Sequence, residues 1–424
     1  MVRSAAPGEP VAEAAAKVAL TGWLRTFESL RDRNYRLYWG AMFISFFGLQ
    51  MQSIAQSWLV YDITGSKLAL GWVNFGSGLP IFIFSILGGV AADRMSKRAL
   101  LIGSQGCIGA VTIVLGFLIV ADVVQLWHII ASAFLIGIVS AFNMPARQSI
   151  VPELVGPGRL MNALALNSSS MNLSRVAAPA VGGMLIGAIG VGNVYFIKAA
   201  AYGLFMTAMA MLTLKSDRIR PRSSAYRDMI SGLEYVRKEP IILTLTVMGL
   251  MSVMFGGAYQ MMMPAFAKDV LHRGASGLGL LLSATGAGAL LGALTVASLG
   301  NFRRKGFLQF CLGIIFGIAL LLFVLVSSLG HFYLSMVVLA VIGFTSTGFW
   351  AVNNALLQTV ASDEMRGRVM GVYMTTFGLQ SLGVLLAGAI ADRMGAPIAI
   401  AIFAVIHLIT LSGMVSLRRG VLRL

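Results

Sequence analysis

The sequence predicts an all-α polytopic membrane protein of twelve transmembrane helices, arranged as two pseudo-symmetric six-helix bundles. Three observations predict it. The 424 residues are 58% hydrophobic and only 11% charged, less than half the charge a soluble domain carries on its surface. Apolar runs of about 20 residues, enough for a helix to cross a hydrocarbon core of about 30 Å, recur twelve times. Short patterns from the first six runs return in the last six at a nearly constant offset. The composition alone excludes a soluble enzyme, a secreted disulfide scaffold and a free nucleic-acid binder.

The runs, spans 1 to 12, lie at 37–61, 70–92, 99–120, 127–144, 160–189, 192–214, 241–263, 276–299, 306–328, 332–354, 369–391 and 396–417. They divide the chain into a tail 1–36, a bundle 37–214, a connector 215–240, a second bundle 241–417 and a tail 418–424. The first tail has no apolar core leading to a cleavage site, so no removable signal peptide is expected. Cys107 and Cys311 are the only cysteines and both lie inside apolar runs, which fits neither a disulfide framework nor a metal site.

Charge orients the spans. Of 32 Lys and Arg, 26 fall in the two tails and in the loops that an even span count places on the same side. Opposite loops hold only Lys67, Lys268, Arg273 and Arg393, and Arg175 and Lys198 lie within spans. The excess of basic residues puts both termini in the cytoplasm, which accounts for the net charge of +16 without nucleic acid. In the connector, Tyr226, Met229, Ile230, Leu233 and Val236 share one helical face. That face suits either an amphipathic helix on the membrane surface or a solvated linker helix.

The repeat is weak at each position and consistent in order. Leu70, Gly71 and Gly78 return as Leu278, Gly279 and Gly286, 208 positions on, and the run from Asn143 to Val151 resembles that from Asn353 to Ala361. Two similar halves related by an axis along the membrane normal are a common transporter plan, and such halves rock about a central site.

The loop after span 2 reads Gly89-Val-Ala-Ala-Asp93-Arg94-Met-Ser-Lys97-Arg98. It resembles the Gly-x-x-x-Asp-Arg-x-x-Arg/Lys-Arg/Lys loop signature of the major facilitator superfamily. A carboxylate at a helix end suits the N-terminus of a neighbouring helix. The resemblance implies that this neighbour is span 11, whose start carries Arg366 and Arg368, with Arg147 as the expected partner charge. Further stretches, Trp58 to Ser66, Pro145-Ala-Arg147-Gln148, Val151 to Val155 and Arg366 to Gly371, are similar to the drug:proton antiporter branch that contains the enterobactin and macrolide exporters. Span 5 carries Pro179, Gly182 and Gly183, similar to the antiporter motif of exporters with Ala178 in place of its usual Gly. Small residues there permit close helix packing and Pro a bend.

The resemblance implies that spans 1, 4, 7 and 10 line a central cavity. Candidate lining residues are Gln52 and Gln56 of span 1, Asn143 of span 4, Met251, Phe255 and Tyr259 of span 7, and Trp350, Asn353 and Asn354 of span 10. Thioethers and aromatics make adaptable walls, although the same stripe also suits helix packing, and the glutamines also suit interhelical hydrogen bonds. Arg175 sits near the middle of span 5, where a cation is costly, and all sixteen Asp and Glu lie in tails, loops or span ends. It either bonds carbonyls and neighbouring polar groups or binds an anionic substrate through paired hydrogen bonds. Lys198, six residues into span 6, is expected to snorkel outward. Asp62, at the outer end of span 1, is the first candidate for proton coupling, with a capped turn as its other reading.

These observations predict a secondary transporter of the bacterial cytoplasmic membrane. The resemblance implies export of a small amphipathic or anionic compound, siderophore-like or drug, by alternating access against proton entry. An importer or facilitator of the same fold, or a non-transporting scaffold or sensor, are the alternatives. Partners are the bilayer, the substrate and protons. A monomer is expected, with no cofactor, no metal, no nucleic acid and no catalytic residues. No Gly-x-x-x-x-Gly-Lys-Ser/Thr loop for ATP occurs.

Overall fold

The computed structural model describes residues 28–212, 225–299, 302 and 304–424. Thirteen helices carry the architecture. The first six are α1 (Arg33–Thr64), α2 (Lys67–Arg94), α3 (Lys97–Val120), α4 (Leu126–Val155), α5 (Leu160–Ile189) and α6 (Val191–Met211). The connector helix α7 (Ala225–Lys238) follows. Next comes α8 (Pro240–Val270), which is interrupted by π-helical turns at Ser252–Gly256 and Phe266–Val270. The last five are α9 (Ala275–Ser298), α10 (Lys305–Ser328), α11 (Phe332–Val360), α12 (Arg366–Met394) and α13 (Ala396–Leu417).

Eleven of the described helices are long and apolar enough to cross a membrane. The remaining long helix, α1, spans 32 residues but is diluted by Ser45, Gln50, Gln52, Ser53, Gln56 and Ser57. The bundle exterior exposes large apolar side chains such as Phe117, Val120, Leu325 and Ile409. A soluble monomer does not display such a belt, whereas lipid solvates it. Helices begin and end where local chemistry dictates. Asp32 caps α1 by accepting from the Asn34 and Tyr35 amides at 2.9 and 3.1 Å. Gly65, at φ 61°, provides the left-handed turn that ends α1, and Ser66 then caps α2 through the Ala69 amide at 3.1 Å.

The helices form two six-helix bundles, α1–α6 and α8–α13, that meet along two seams. In one seam α2 lies against α12, and in the other α5 lies against α9. The repeated glycines mark both. A side chain at Gly71 would meet the Leu385 backbone at 2.9 Å, and one at Gly78 would meet Ser381 Oγ at 2.8 Å. Their counterparts in the repeat do the same on the other seam, Gly279 against the Pro179 carbonyl and Gly286 against the Arg175 carbonyl. Gly183 also allows the Ala275 carbonyl to approach. Residues without side chains let the backbones close to this distance.

The apolar core is distributed unequally from end to end. Away from the termini, at the distal face, a single cluster crosses between the halves and joins Met51, Leu59 and Leu70 to Met262, Phe266 and Leu278. Near the termini, at the terminal face, two clusters stay within their own halves. One contains Tyr35, Ile150 and Phe205, and the other Ile242, Leu356 and Val369.

Candidate functional site: a gated central cavity

The distal face is fastened by side chains from both halves. The Tyr61 hydroxyl donates to Asp269, and Lys67 Nζ lies 3.4 Å from the same carboxylate. Lys268 Nζ pairs with Asp62 Oδ1 at 2.5 Å. Asp392, in the last turn of α12, caps α2: it accepts from Ser66 Oγ and from the Lys67 amide at 2.6 Å each, and from the Leu68 amide at 3.2 Å. A carboxylate at this position satisfies otherwise unbonded amides and complements the helix dipole. Midway down the second seam the Ala180 amide donates to Ser283 Oγ at 2.9 Å. These bonds between the two bundles lie in the distal part or midway down a seam.

At the terminal face Lys97, Arg98, Arg147 and Arg366 bond within their own half. Lys97 pairs with Glu153. Arg98 donates to the Leu212 carbonyl at 3.1 Å and to the Ala210 carbonyl. Arg366 bonds Asp363 at 2.6 Å and the Gln358 carbonyl at 2.7 Å. The backbone of Arg368 packs against Gly232 of α7, while Gly89 faces open space. The side chains of Asp93, Arg94 and Gln148, the basic run 218–222 and the side chain of Tyr226 lie outside the described residues. Arg147 turns into the first bundle. It donates to Ser45 Oγ at 3.1 Å and its guanidinium lies over the rings of Phe46 and Phe205 at 5.2 and 5.3 Å. The Tyr38 hydroxyl bonds its carbonyl at 3.3 Å.

Between the faces, α8 is broken where the second bundle holds a cavity of about 130 Å³. Its walls include Tyr259, Gln260, Phe316, Trp350, Tyr373 and Gln380, and no charged side chain is among its described lining residues. The π turn at Ser252–Gly256 and the adjoining Gly257 shift the register of α8 at this point. Such turns are frequent at functional sites. Trp350 is 39% exposed, and Asn354 reaches the Trp350 carbonyl at 3.5 Å. Phe255 stacks edge-on against Phe403 at 5.2 Å. Met251 and Gln56 are half-buried.

Three of the expected lining residues are instead buried within their own bundles. Asn143 donates to Ser104 Oγ at 2.5 Å, and Gln309 donates to Asn353 at 2.6 Å. Gln52 is buried beside Tyr195. Arg175 is exposed, about 20 Å in from the distal end of α5. Its own carbonyl is the one packed against Gly286, so it stands at the seam between the halves.

The expectation for Lys198 is corrected. It does not snorkel outward but is 1% exposed. Its stem lies 3.5 Å from where a Cβ on Gly48 would stand, and its Nζ lies 4.9 Å from the Tyr202 ring centre.

Residues 24–421 match the profile of the family described as transmembrane secretion effector. The chain belongs to this family, a branch of the major facilitator superfamily. It is 26% identical over 81% of its length to the multidrug efflux pump Tap of Mycolicibacterium fortuitum, covering 85% of that protein. It is 24% identical to the staphyloferrin A transporter of Staphylococcus aureus, with 85% of this chain and 90% of that one aligned. The enterobactin exporter EntS of Shigella boydii is 27% identical, over 88% and 89% of the two chains. The crystal structure of the nucleoside transporter NupG superposes with a TM-score of 0.70 at 14% identity, covering 91% of this chain and 98% of that one. The chain is thus a multi-pass membrane transporter of the major facilitator fold, related to efflux pumps and siderophore exporters.

Within this family member, two features of the site escaped the sequence reading. Asp392 had a signal, because Ala92-Asp93-Arg94-Met95 returns as Ala391-Asp392-Arg393-Met394, once at the end of each of two antiparallel partner helices. Phe316 and Gln380 had none, since they reach the cavity only through the shifted register of α8.

Proposed function

We propose that this chain exports a small amphipathic or anionic compound, siderophore-like or drug, from the cytoplasm by alternating access, in exchange for protons. One observation carries the reading: a single core and a set of cross-bundle bonds seal the distal face, while the terminal face keeps two separate cores. With both termini cytoplasmic, as the basic loops require, this conformation is closed to the outside. The division into bundles 37–214 and 241–417 with a linker 215–240 follows the same plan. The protein acts as a monomer in the bacterial cytoplasmic membrane.

The cavity supports an amphipathic ligand. Its aromatic and amide walls suit a planar, uncharged portion, and Arg175 at the seam offers paired donors to a carboxylate or catecholate. On alternation the distal bonds part, and Asp93 takes up at the start of α12 the capping role that Asp392 now performs at the start of α2. The test is accumulation in everted membrane vesicles with an acid interior, using enterobactin, staphyloferrin A and a cationic dye as probes. Export predicts uptake of at least one probe that collapses with the pH gradient. Uptake favoured by the opposite gradient would establish an importer, and uptake indifferent to any gradient a facilitator.

A further inference from the structure

Lys198 lies inside the first bundle, about 10 Å in from the distal end of α6, and is 1% exposed. A lysine kept charged for structural reasons is normally given an anion. This one is given the face of Tyr202, with Nζ 4.9 Å from the ring centre. The groups facing it supply no counter-charge. From its own helix come Tyr195 and Tyr202. From α1 come Gly48 and Gln52, the latter beside Tyr195. From α3 comes Gly109, against Tyr202. From α4 comes a further cation, Arg147, near enough to Tyr202 to interact with it electrostatically. No Asp or Glu occurs at this depth anywhere in the sequence.

The helix that covers Lys198 also registers whether the distal face is closed. Gly48 of α1 lies against the lysine stem, and at the distal end of α1 Tyr61 bonds Asp269 and Asp62 pairs with Lys268 of the other bundle. The distal end of the helix that packs on the lysine stem is therefore bonded to the other bundle while the distal face is closed.

We propose that Lys198 is the proton carrier of this transporter. Resting on the proton-exchange reading above, the cycle runs as follows. With the distal face open, the amine takes a proton from water on that side and becomes an ammonium. With the distal face closed, the ammonium gives the same proton to water entering from the terminal side, and the neutral amine is enclosed against Gly48 and Tyr202. One proton is bound and one released per turn, with no other bond changed. Tyr202 lies between the two cations Lys198 and Arg147, and its ring steadies the ammonium while it persists.

Two measurements on the full chain test this. The first needs no substrate. With Cys107 and Cys311 replaced by Ser, spin labels at Ile63→Cys and Leu329→Cys report the distance across the distal face at pH 5.5 and 8.5. The unsubstituted lysine protein should populate the open distance more at the lower pH, by at least threefold. Lys198→Gln and Lys198→Arg should each remove that dependence, the second because arginine keeps its charge without releasing a proton. A pH shift that survives in either variant, or its absence from the parent, overturns the proposal. The second measurement compares pH-driven accumulation with gradient-free exchange of enterobactin in proteoliposomes. Lys198→Arg should lower accumulation at least tenfold and keep exchange. If both parent and variant accumulate against the gradient, only the assignment to Lys198 fails. If the parent exchanges without responding to a gradient, the proton-exchange reading itself fails.

Discussion

The two bundles share a plan and differ in chemistry. Gly71 and Gly78 on one seam and Gly279 and Gly286 on the other occupy matching repeat positions and let matching backbones touch. Yet Arg147, Arg175 and Lys198 all lie within the spans of the first bundle, whereas the described spans of the second confine charge to helix ends. Inside the second, polar groups are uncharged pairs such as Gln309 with Asn353, or His407 against the Gly313 carbonyl at 3.2 Å. The difference teaches that packing constrains both halves alike, because a seam must close on either side, while chemistry does not. The first half handles charge, and the second offers an aromatic, neutral cavity.

That contrast predicts distinct losses. Arg175→Ala should impair transport of anionic probes selectively. A charge-assisted hydrogen bond contributes about 1.5–3 kcal/mol, so the apparent affinity for a carboxylate or catecholate probe should fall roughly 10- to 150-fold. A neutral aromatic probe should be nearly unaffected. Equal losses for both in a KM comparison would break the division of labour.

Asp392→Asn comes next, because it tests the joint between the halves. Loss of a capping carboxylate costs about 0.5–2 kcal/mol, so the distal-closed population should fall roughly 2- to 30-fold relative to open, measured by the distance across that face. Trp350→Ala should lower affinity for all aromatic probes, charged or not, by roughly 2- to 12-fold, from an aromatic contact of about 0.5–1.5 kcal/mol. A loss limited to anions would place charge recognition in the second half and reverse the comparison.

Much of this fold was legible because lipid imposes simple rules. Each span had to satisfy its own backbone, so apolar length alone located α5 and α13 at 160–189 and 396–417, as observed. The glycine repeat pointed to two similar halves, and the structure places those repeated glycines at the seams between them. The helical spacing of the connector likewise corresponds to a helix, α7. What stayed hidden depended on rotation between helices. Whether Lys198 turns toward lipid or inward depends on how α6 packs against α1, where its stem meets Gly48, 150 positions away in sequence. Asn353 sits on α11, which lines the cavity, whereas α1 and α4, which carry Gln52 and Asn143, supply none of its described lining residues, and periodicity cannot say which neighbour each residue faces. Two π turns also interrupt the 3.6-residue period of the α8 stripe, along which Tyr259 lines the cavity while Phe255 packs on Phe403.

The smallest expected effect concerns Asp62. Its carboxylate is 52% exposed and its ion pair with Lys268 is open to solvent. Such pairs contribute about 0–1 kcal/mol, and the Tyr61–Asp269 bond and the Asp392 cap hold the same face shut without it. Asp62→Asn should therefore leave pH-driven accumulation within about threefold of the parent, with a slightly more open distal face that added salt reproduces by screening. Loss of proton drive in Asp62→Asn with exchange intact would return coupling to the distal rim of the first bundle, and Lys198 would then be a packed cation rather than a carrier.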